Sequence, residues 1–290
     1  MREKKWHIAV LLAPFLALTA LLLLSVWNVA IQSFGYIPAF GLTELTTEHY
    51  AKVLRDETFL RALGVSLRIA LLSAVLAAVL GVLLAAALIR CRKRDGAMLY
   101  LVRMPILVPH AVVAVFAINL LSQAGLVARV AAALGLIAEQ SQFPQLLFNP
   151  DYGGAIAAYL WKEIPFVAYF VLALMSSVSD TLGEAAENLG ASPLRSFFSV
   201  TLPLTLPAIV KAFLIIFIFA FGGYELPLLL GATVPKALPV QAYLAYMSPN
   251  LRDRPYAMAM NGVILLLALA MATLYGLLMR RMLKRMGGRA

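Results

Sequence analysis

Hydrophobic positions in this chain run in long unbroken blocks, not in the one-faced or alternating patterns of water-soluble elements. Ile8–Ile31, Ile69–Ile89 and Tyr256–Met279 contain no charged residue, and the second block extends back to about Ala62. Met104–Ala128 is also uncharged and carries Pro105 and Pro109 near its start. Gly153–Val178 is interrupted only by Lys162 and Glu163, and Pro207–Leu230 only by Lys211 and Glu225. A helix needs about 20 apolar residues to cross a bilayer, and every block meets that length. The pattern predicts an all-α integral membrane chain with six spans, and an even number of spans leaves both termini on one side.

Composition agrees. The chain is 62% hydrophobic and 13% charged, against about 45–50% and about 25% in soluble domains. A net charge of +10 would suit a nucleic-acid partner if it were spread over one surface. Here the basic residues form short clusters between the apolar blocks, so the partner they imply is the lipid bilayer and no nucleic acid. The single cysteine, Cys91, excludes an internal disulfide. The first block is longer than a signal-peptide core of about 7–15 residues. It is expected to stay in the protein as a helix.

Charge asymmetry orients the bundle. Thirteen basic residues lie in one set of loops, including Arg2, Lys4, Lys5, Arg90, Arg92, Lys93, Arg94, Arg195 and Arg289, against seven in the other. Positive charge marks the cytoplasmic side. Both termini are therefore expected in the cytoplasm. The outer loops, roughly 34–61, 129–152 and 231–255, are long enough to dock a partner. The chain divides into a first span with its outer loop (1–61), a core of five spans (62–282) and a basic tail (283–290).

The cytoplasmic loop at about 179–206 is the most informative stretch. Thr181-Leu-Gly-Glu184 fits a capping box opening a helix. Leu182, Ala185, Ala186 and Leu189 fall on one face of that helix, while Glu184, Glu187 and Asn188 lie off it. Gly190 suits the left-handed position that ends a helix. Ser192-Pro193 suits an N-cap and first-turn proline, so a second short helix follows with Leu194, Phe197 and Phe198 as its stripe. Pro203 is expected to stop it, and Pro207 to open the fifth span.

Glu184-Ala185-Ala186, then Gly190, then Val200-Thr201-Leu202-Pro203 resembles the Glu-Ala-Ala signature of binding-protein-dependent ABC permeases. Val200 stands where that signature has Ile. The resemblance implies the type I ABC importer permease fold, with the loop as a coupling helix seated in a cleft of an ATPase. Glu184, Ala185, Ala186, Leu189, Gly190, Phe197, Phe198, Leu202 and Pro203 would form that coupling site. It further implies two ATP-binding-cassette subunits, a second permease (identical or homologous) and an external substrate-binding protein. ATP and magnesium would sit on the ATPases, with no cofactor in this chain. Consistent with this, none of the eight lysines follows a glycine, as a phosphate-binding P-loop requires. No catalytic set and no metal cluster is visible; His7, His49 and His110 are scattered, each expected to pack or to sit at the interface.

Charges inside a membrane mark functional candidates. Lys162-Glu163 would lie roughly 15 Å deep in span four, and Glu225 roughly 10 Å deep in span five. Comparable depth allows a Lys162–Glu225 pair, with Tyr224, Lys162, Glu163 and Glu225 as pathway candidates. The alternative is that span four enters later and Lys162 reaches the outer interface. Asn119 and Asn261 are expected to bond neighbouring helices, and Trp6, Trp27 and Trp161 to sit at the membrane interfaces. Phe221-Gly-Gly-Tyr-Glu225-Leu-Pro-Leu-Leu-Leu-Gly231, followed by Leu238-Pro239-Val240, loosely resembles the spermidine/putrescine and ferric-iron branch. That points to a polyamine-like substrate, with iron(III), phosphonate or thiamine as alternatives. An ion-coupled secondary transporter would also use Glu163 and Glu225 but gives the two-helix loop no purpose.

Orientation is open to direct measurement. A membrane-impermeant maleimide is expected to label Cys91 in inside-out vesicles and not in intact cells. Labelling of intact cells would reverse the topology and move the loop at 179–206 to the outside.

Overall fold

The computed structural model describes residues 2–91 and 96–285. Arg92, Lys93, Arg94 and Arg289 of the charge asymmetry, and the end of the tail beyond Arg285, lie outside the described residues. The regular structure is helical: α1 (Arg2–Ser33), α2 (Glu48–Arg55), α3 (Glu57–Arg90), α4 (Ala97–Leu107), α5 (His110–Leu121), α6 (Leu126–Ala133), α7 (Gly153–Val178), α8 (Glu184–Asn188), α9 (Pro193–Ser196), α10 (Leu202–Phe221), α11 (Glu225–Leu230), α12 (Leu238–Tyr246) and α13 (Arg254–Arg285). Among the described residues six stretches are long and apolar enough to cross a membrane: Val10–Ser33, Glu57–Arg90, His110–Ala133, Gly153–Asn188, Pro193–Phe221 and Leu251–Arg281.

The third stretch begins at His110, not at Met104. Pro109 has no N–H to continue a ladder and forces the residue before it out of helical geometry. Val108 is accordingly extended, with ψ 127°, and α4 becomes a separate short apolar helix.

Two compact units divide the chain. The first comprises Met1–Leu60 and Gln241–Leu267. The apolar side chains of α1, such as Leu11 and Leu22, are uncovered within the chain, as a lipid-facing helix requires. The Ser33 hydroxyl is 2.8 Å from that of Tyr50. Asp56 accepts from the backbone N–H of Thr58 at 2.8 Å and from the hydroxyl of Tyr256. The Tyr256 bond holds the Asp56 carboxyl below its usual range. A depressed carboxyl stabilises the fold at neutral pH, and that contribution is lost as pH falls through its folded value. The Arg254 guanidinium stacks over Tyr246, 4.0 Å from the ring centroid.

The second unit comprises Arg61–Val240 and Ala268–Ala290. Its helix α3 is inverted relative to a soluble helix: small residues face inward and leucines outward. Ser66, Ala70, Ser73, Ala74, Ala77, Ala78, Gly81 and Ala85 are buried, while Leu71, Leu76, Val79 and Leu83 are exposed. Between membrane helices no water drives apolar surfaces together, so close backbone approach supplies the packing. At Gly81 a Cβ would lie 2.8 Å from Val167 Cγ1 and 2.9 Å from the Ile164 carbonyl oxygen of α7, which leaves no space for a side chain. Helix α7 buries Ala155, Tyr159, Val167, Ala168, Val171 and Met175. The segment around α11 and α12 is pinned by Phe148 N–H to Leu230 O at 2.8 Å, Tyr152 hydroxyl to Pro235 O at 2.8 Å and Leu238 N–H to Ser66 Oγ at 2.7 Å.

Among the described residues Asn119 and Asn261 bond within their own helices. Asn119 donates to Val115 O at 2.8 Å and Asn261 to Ala257 O at 3.1 Å, each one turn back on its own helix. A side-chain amide finds that carbonyl without any second helix.

Candidate functional site

The loop of the sequence signature is tighter than expected. Thr181 does not cap a new helix. Its hydroxyl donates to Ser177 O at 2.8 Å, and residues Ser179–Gly183 form a π-helical turn that carries α7 straight into α8. Pro203 likewise does not end a helix. A second π-helical turn, Phe197–Thr201, joins α9 to α10, and Pro203 falls in the first turn of α10, where its missing N–H is tolerated. Spans four and five therefore run as near-continuous rods, and only Leu189–Ser192 is non-helical between them.

That break is well made. Gly190 takes φ +94°. Its N–H bonds Glu187 O at 2.9 Å, and the next N–H, on Ala191, bonds Ala186 O at 3.0 Å. This is the Schellman pairing that satisfies the last carbonyls of a helix. Across the break, the Ser192 hydroxyl accepts from Arg195 N–H at 3.4 Å, as the sequence predicts.

The two rods are tied together behind the loop. The Ser196 hydroxyl donates to Gly183 O at 3.0 Å, and a Cβ on Gly183 would sit 3.4 Å from both Ser196 Oγ and Thr201 Oγ1. Gly183, Ser196 and Thr201 are buried and escaped the sequence reading, because polar residues in a loop look solvated until both π-turns are seen. Leu182, Leu189, Leu194 and Phe198 are exposed, Leu189 by 90%; Leu194 and Phe198 also edge the cavity beside α3. Glu184, Ala185 and Pro203 are exposed or near the surface, Ala186 and Phe197 are half-buried, and Leu202 begins α10. A cavity of about 490 Å³ lies between this loop and the end of α3, with Asp180, Glu184, Glu187 and Arg90 at its polar edge.

The intramembrane charges form a second cluster. Lys162 and Glu163 are both 8% exposed, so the surface position for Lys162 is not adopted. The Lys162 ammonium donates to Val108 O at 2.5 Å and lies 3.4 Å from His110 Nδ1. Val108 is the carbonyl freed by Pro109, at the C-terminus of α4, where a cation is also favoured by the helix dipole. Glu163 Oε1 is 3.8 Å from His110 Nε2.

A direct Lys162–Glu225 ion pair does not form, although Glu225 lies near enough to act on Lys162 through space. The reason is the end of α10. It stops at Phe221, Gly222 and Gly223 break the helix, and Glu225 opens the separate helix α11 with its side chain exposed. Gly223 abuts the Tyr159 hydroxyl so closely that any side chain would collide. Glu225 and Tyr224 line a cavity of about 570 Å³ with His110, Tyr159, Phe219 and Gly223. His110, expected to pack or to sit at the interface, is the centre of the cluster, 4.8 Å from the Phe219 ring and 6.0 Å from the Tyr159 ring. Its place directly after Pro109 was the available signal.

A helical membrane component with a capped loop between two rods and a polar cavity at broken helices defines a transporter subunit. The chain belongs to the family described as the binding-protein-dependent transport system inner membrane component, which it matches over residues 77–284. It is similar to the putrescine transport system permease protein PotI of Escherichia coli K12, 26% identical over 90% of this chain and 85% of that protein. It is also similar to the sn-glycerol-3-phosphate transport system permease protein UgpA of Yersinia pestis, 29% identical over 74% of this chain and 73% of that one. Among solved structures it resembles a chain of a bacterial alginate ABC transporter in complex with its alginate-bound periplasmic protein, with TM-score 0.79, 21% identity and 96% of both chains covered. The methionine transporter MetNI, in inward-facing form, matches with TM-score 0.56 and 18% identity over 77% of this chain and 95% of that chain. The fold is that of the ABC importer permeases, and the chain is a transporter subunit, not an enzyme.

The buried cluster generates a stability prediction. Lys162→Met strips the Val108 carbonyl of its donor and leaves Glu163 buried without a nearby ammonium; a buried polar group that loses its partner costs about 1–3 kcal/mol. The single variant is expected to unfold at lower temperature in detergent than Lys162→Met combined with Glu163→Gln. Equal melting of the two variants would show that Lys162 serves only the Val108 carbonyl.

Proposed function

We propose that this chain is the permease of an importer in which the loop around Leu189–Ser192 seats in an ATP-binding-cassette ATPase on the cytoplasmic side. Each of two permeases would receive one ATPase, and an external binding protein would deliver the solute. The carrying observation is the apolar face of Leu182, Leu189, Leu194 and Phe198, uncovered on a loop whose backbone is fully capped. Helix-in-groove recognition uses apolar anchors of this kind. Glu184, exposed beside them, suits basic or backbone groups of the ATPase. The same face lying in the membrane interface is the second possibility, and it predicts no ATPase loss. Leu189→Asp and Gly190→Asp are therefore expected to leave the protein inserted while reducing ATPase co-purification at least about tenfold, the scale of one lost interface anchor. Normal co-purification with both variants would remove the loop from the interface.

For the substrate, we favour a small organic cation. Glu225, Tyr224, Tyr159 and Phe219 give the cavity a carboxylate and aromatic faces, the groups that hold ammonium ions. The putrescine permease among its relatives supports the same class, while the glycerol phosphate and alginate systems stand for anionic cargo. Glu225→Gln is expected to lower uptake of putrescine by proteoliposomes carrying the full transporter, with basal ATP hydrolysis and melting temperature unchanged. Unchanged putrescine uptake would take Glu225 out of the pathway.

A further inference from the structure

Arg103 is the single charged residue of α4, six residues past its start and so about 9 Å along the axis. Its guanidinium lies over the Tyr169 ring at 4.2 Å from the centroid. Its Nε is shielded from solvent and has no hydrogen-bond partner. Among the described residues no carboxylate lies within ion-pair distance of it. A guanidinium carries five donors and never loses its charge, so within an apolar helix it calls for an anion from outside the chain.

The groove beside it shows what kind of anion. About 660 Å³ of space runs between α4 and α7, floored by Leu99, Phe166, Phe170 and Leu172, with Arg103 and the hydroxyl-bearing Ser176 as its polar groups. A free inorganic anion gains nothing from that apolar floor. A phosphate attached to an acyl chain fills both parts. None of these lining residues is shared with the Glu225 cavity, which separates the groove from the site proposed for the solute. The sequence just before α4 carries Arg90, Arg92, Lys93 and Arg94, a density of positive charge that collects anionic lipid at a cytoplasmic surface.

We propose that the groove between α4 and α7 holds an anionic phospholipid, its phosphate on Arg103 and one acyl chain along Phe166 and Phe170. The proposal rests on the cytoplasmic placement of residues 90–94, which the Cys91 labelling tests separately. Tyr169 positions the guanidinium by stacking on it.

The test uses the assembled transporter, delipidated in mild detergent and examined by native mass spectrometry with added phosphatidylglycerol or phosphatidylcholine. Wild type is expected to retain phosphatidylglycerol in preference to phosphatidylcholine. Arg103→Gln is expected to lower phosphatidylglycerol retention about fivefold, the scale of one cationic contact at a membrane surface, with phosphatidylcholine unchanged. Arg103→Lys keeps the charge and is expected to keep most of the preference. Inorganic phosphate at millimolar level is expected not to compete. Equal retention of the two lipids by wild type overturns the proposal whether or not the glutamine variant assembles. So does displacement by inorganic phosphate, which marks a free-anion site. Loss of uptake in Arg103→Gln with lipid retention intact also overturns it and assigns Arg103 to the solute pathway.

Discussion

Every backbone carbonyl and N–H inside a bilayer must find a partner within the protein, because acyl chains offer none. This constraint decides where the helices of this chain are allowed to break. At Pro109 the freed Val108 carbonyl is taken by the Lys162 ammonium at 2.5 Å. Outside the spans, at Leu189–Ser192, the carbonyls that end α8 are taken by the Schellman bonds from Gly190 and Ala191. At Gly222 and Gly223 the N–H groups turn back to Ile218 O and Ala220 O at 3.1 and 3.3 Å. The break at Gly222 and Gly223 forms part of the cavity wall, and the Lys162 ammonium that repairs the Pro109 break also lies against His110, another residue of that wall. The candidate sites are therefore consequences of the backbone rule as well as of side-chain choice.

The lysine is better understood in that light than as half of an ion pair. A buried ammonium is costly, and a single carboxylate seldom repays it. Lys162 has a carbonyl at a helix C-terminus, a histidine ring nitrogen and two carboxylates acting on it from Glu163 and Glu225. The carbonyl is the short contact, so the ammonium is anchored across the α4–α5 break. Glu225 is exposed on the cavity wall, where the proposed cation would meet it.

The spans were legible because lipid exposure writes itself as long apolar runs, and the signature loop because its glycine and proline act locally. What stayed hidden depended on partners distant in sequence. Thr181 and Glu184 satisfy the local rule for a cap, yet α7 passes through them, because Ser196 and Thr201 brace Gly183 from the other rod. Gly222, Gly223 and Pro227 mark span five as loosened in the sequence, but not where the helix stops, at Phe221. The break is enforced by Tyr159 against Gly223, a contact sixty-four positions apart along the chain. His110 looked inert for the same reason: Lys162, Glu163 and Phe219 that give it a role come from α7 and α10.

Helix α7 links the two regions physically. Lys162 and Glu163 sit in its first half, and the π-turn carries its C-terminal end into Glu184 without a break. At about 1.5 Å per residue, the buried charges Lys162 and Glu163 and the start of the loop at Glu184 lie on one rod roughly 30 Å apart. A π-turn adds a residue to the helical repeat and weakens the ladder locally, so each rod has one place to bend, at Ser179–Gly183 and at Phe197–Thr201. The Ser196–Gly183 bond spans those two places. A push on the exposed leucines would then act on both rods together, and the end that moves with α7 carries the groups that hold the α4–α5 break. Packing of α7 against the small-residue face of α3 at Gly81 leaves no slack for a side chain between them. Displacement of α7 must therefore be carried by whole-helix movement, since close-packed interiors shift between discrete arrangements and do not deform smoothly.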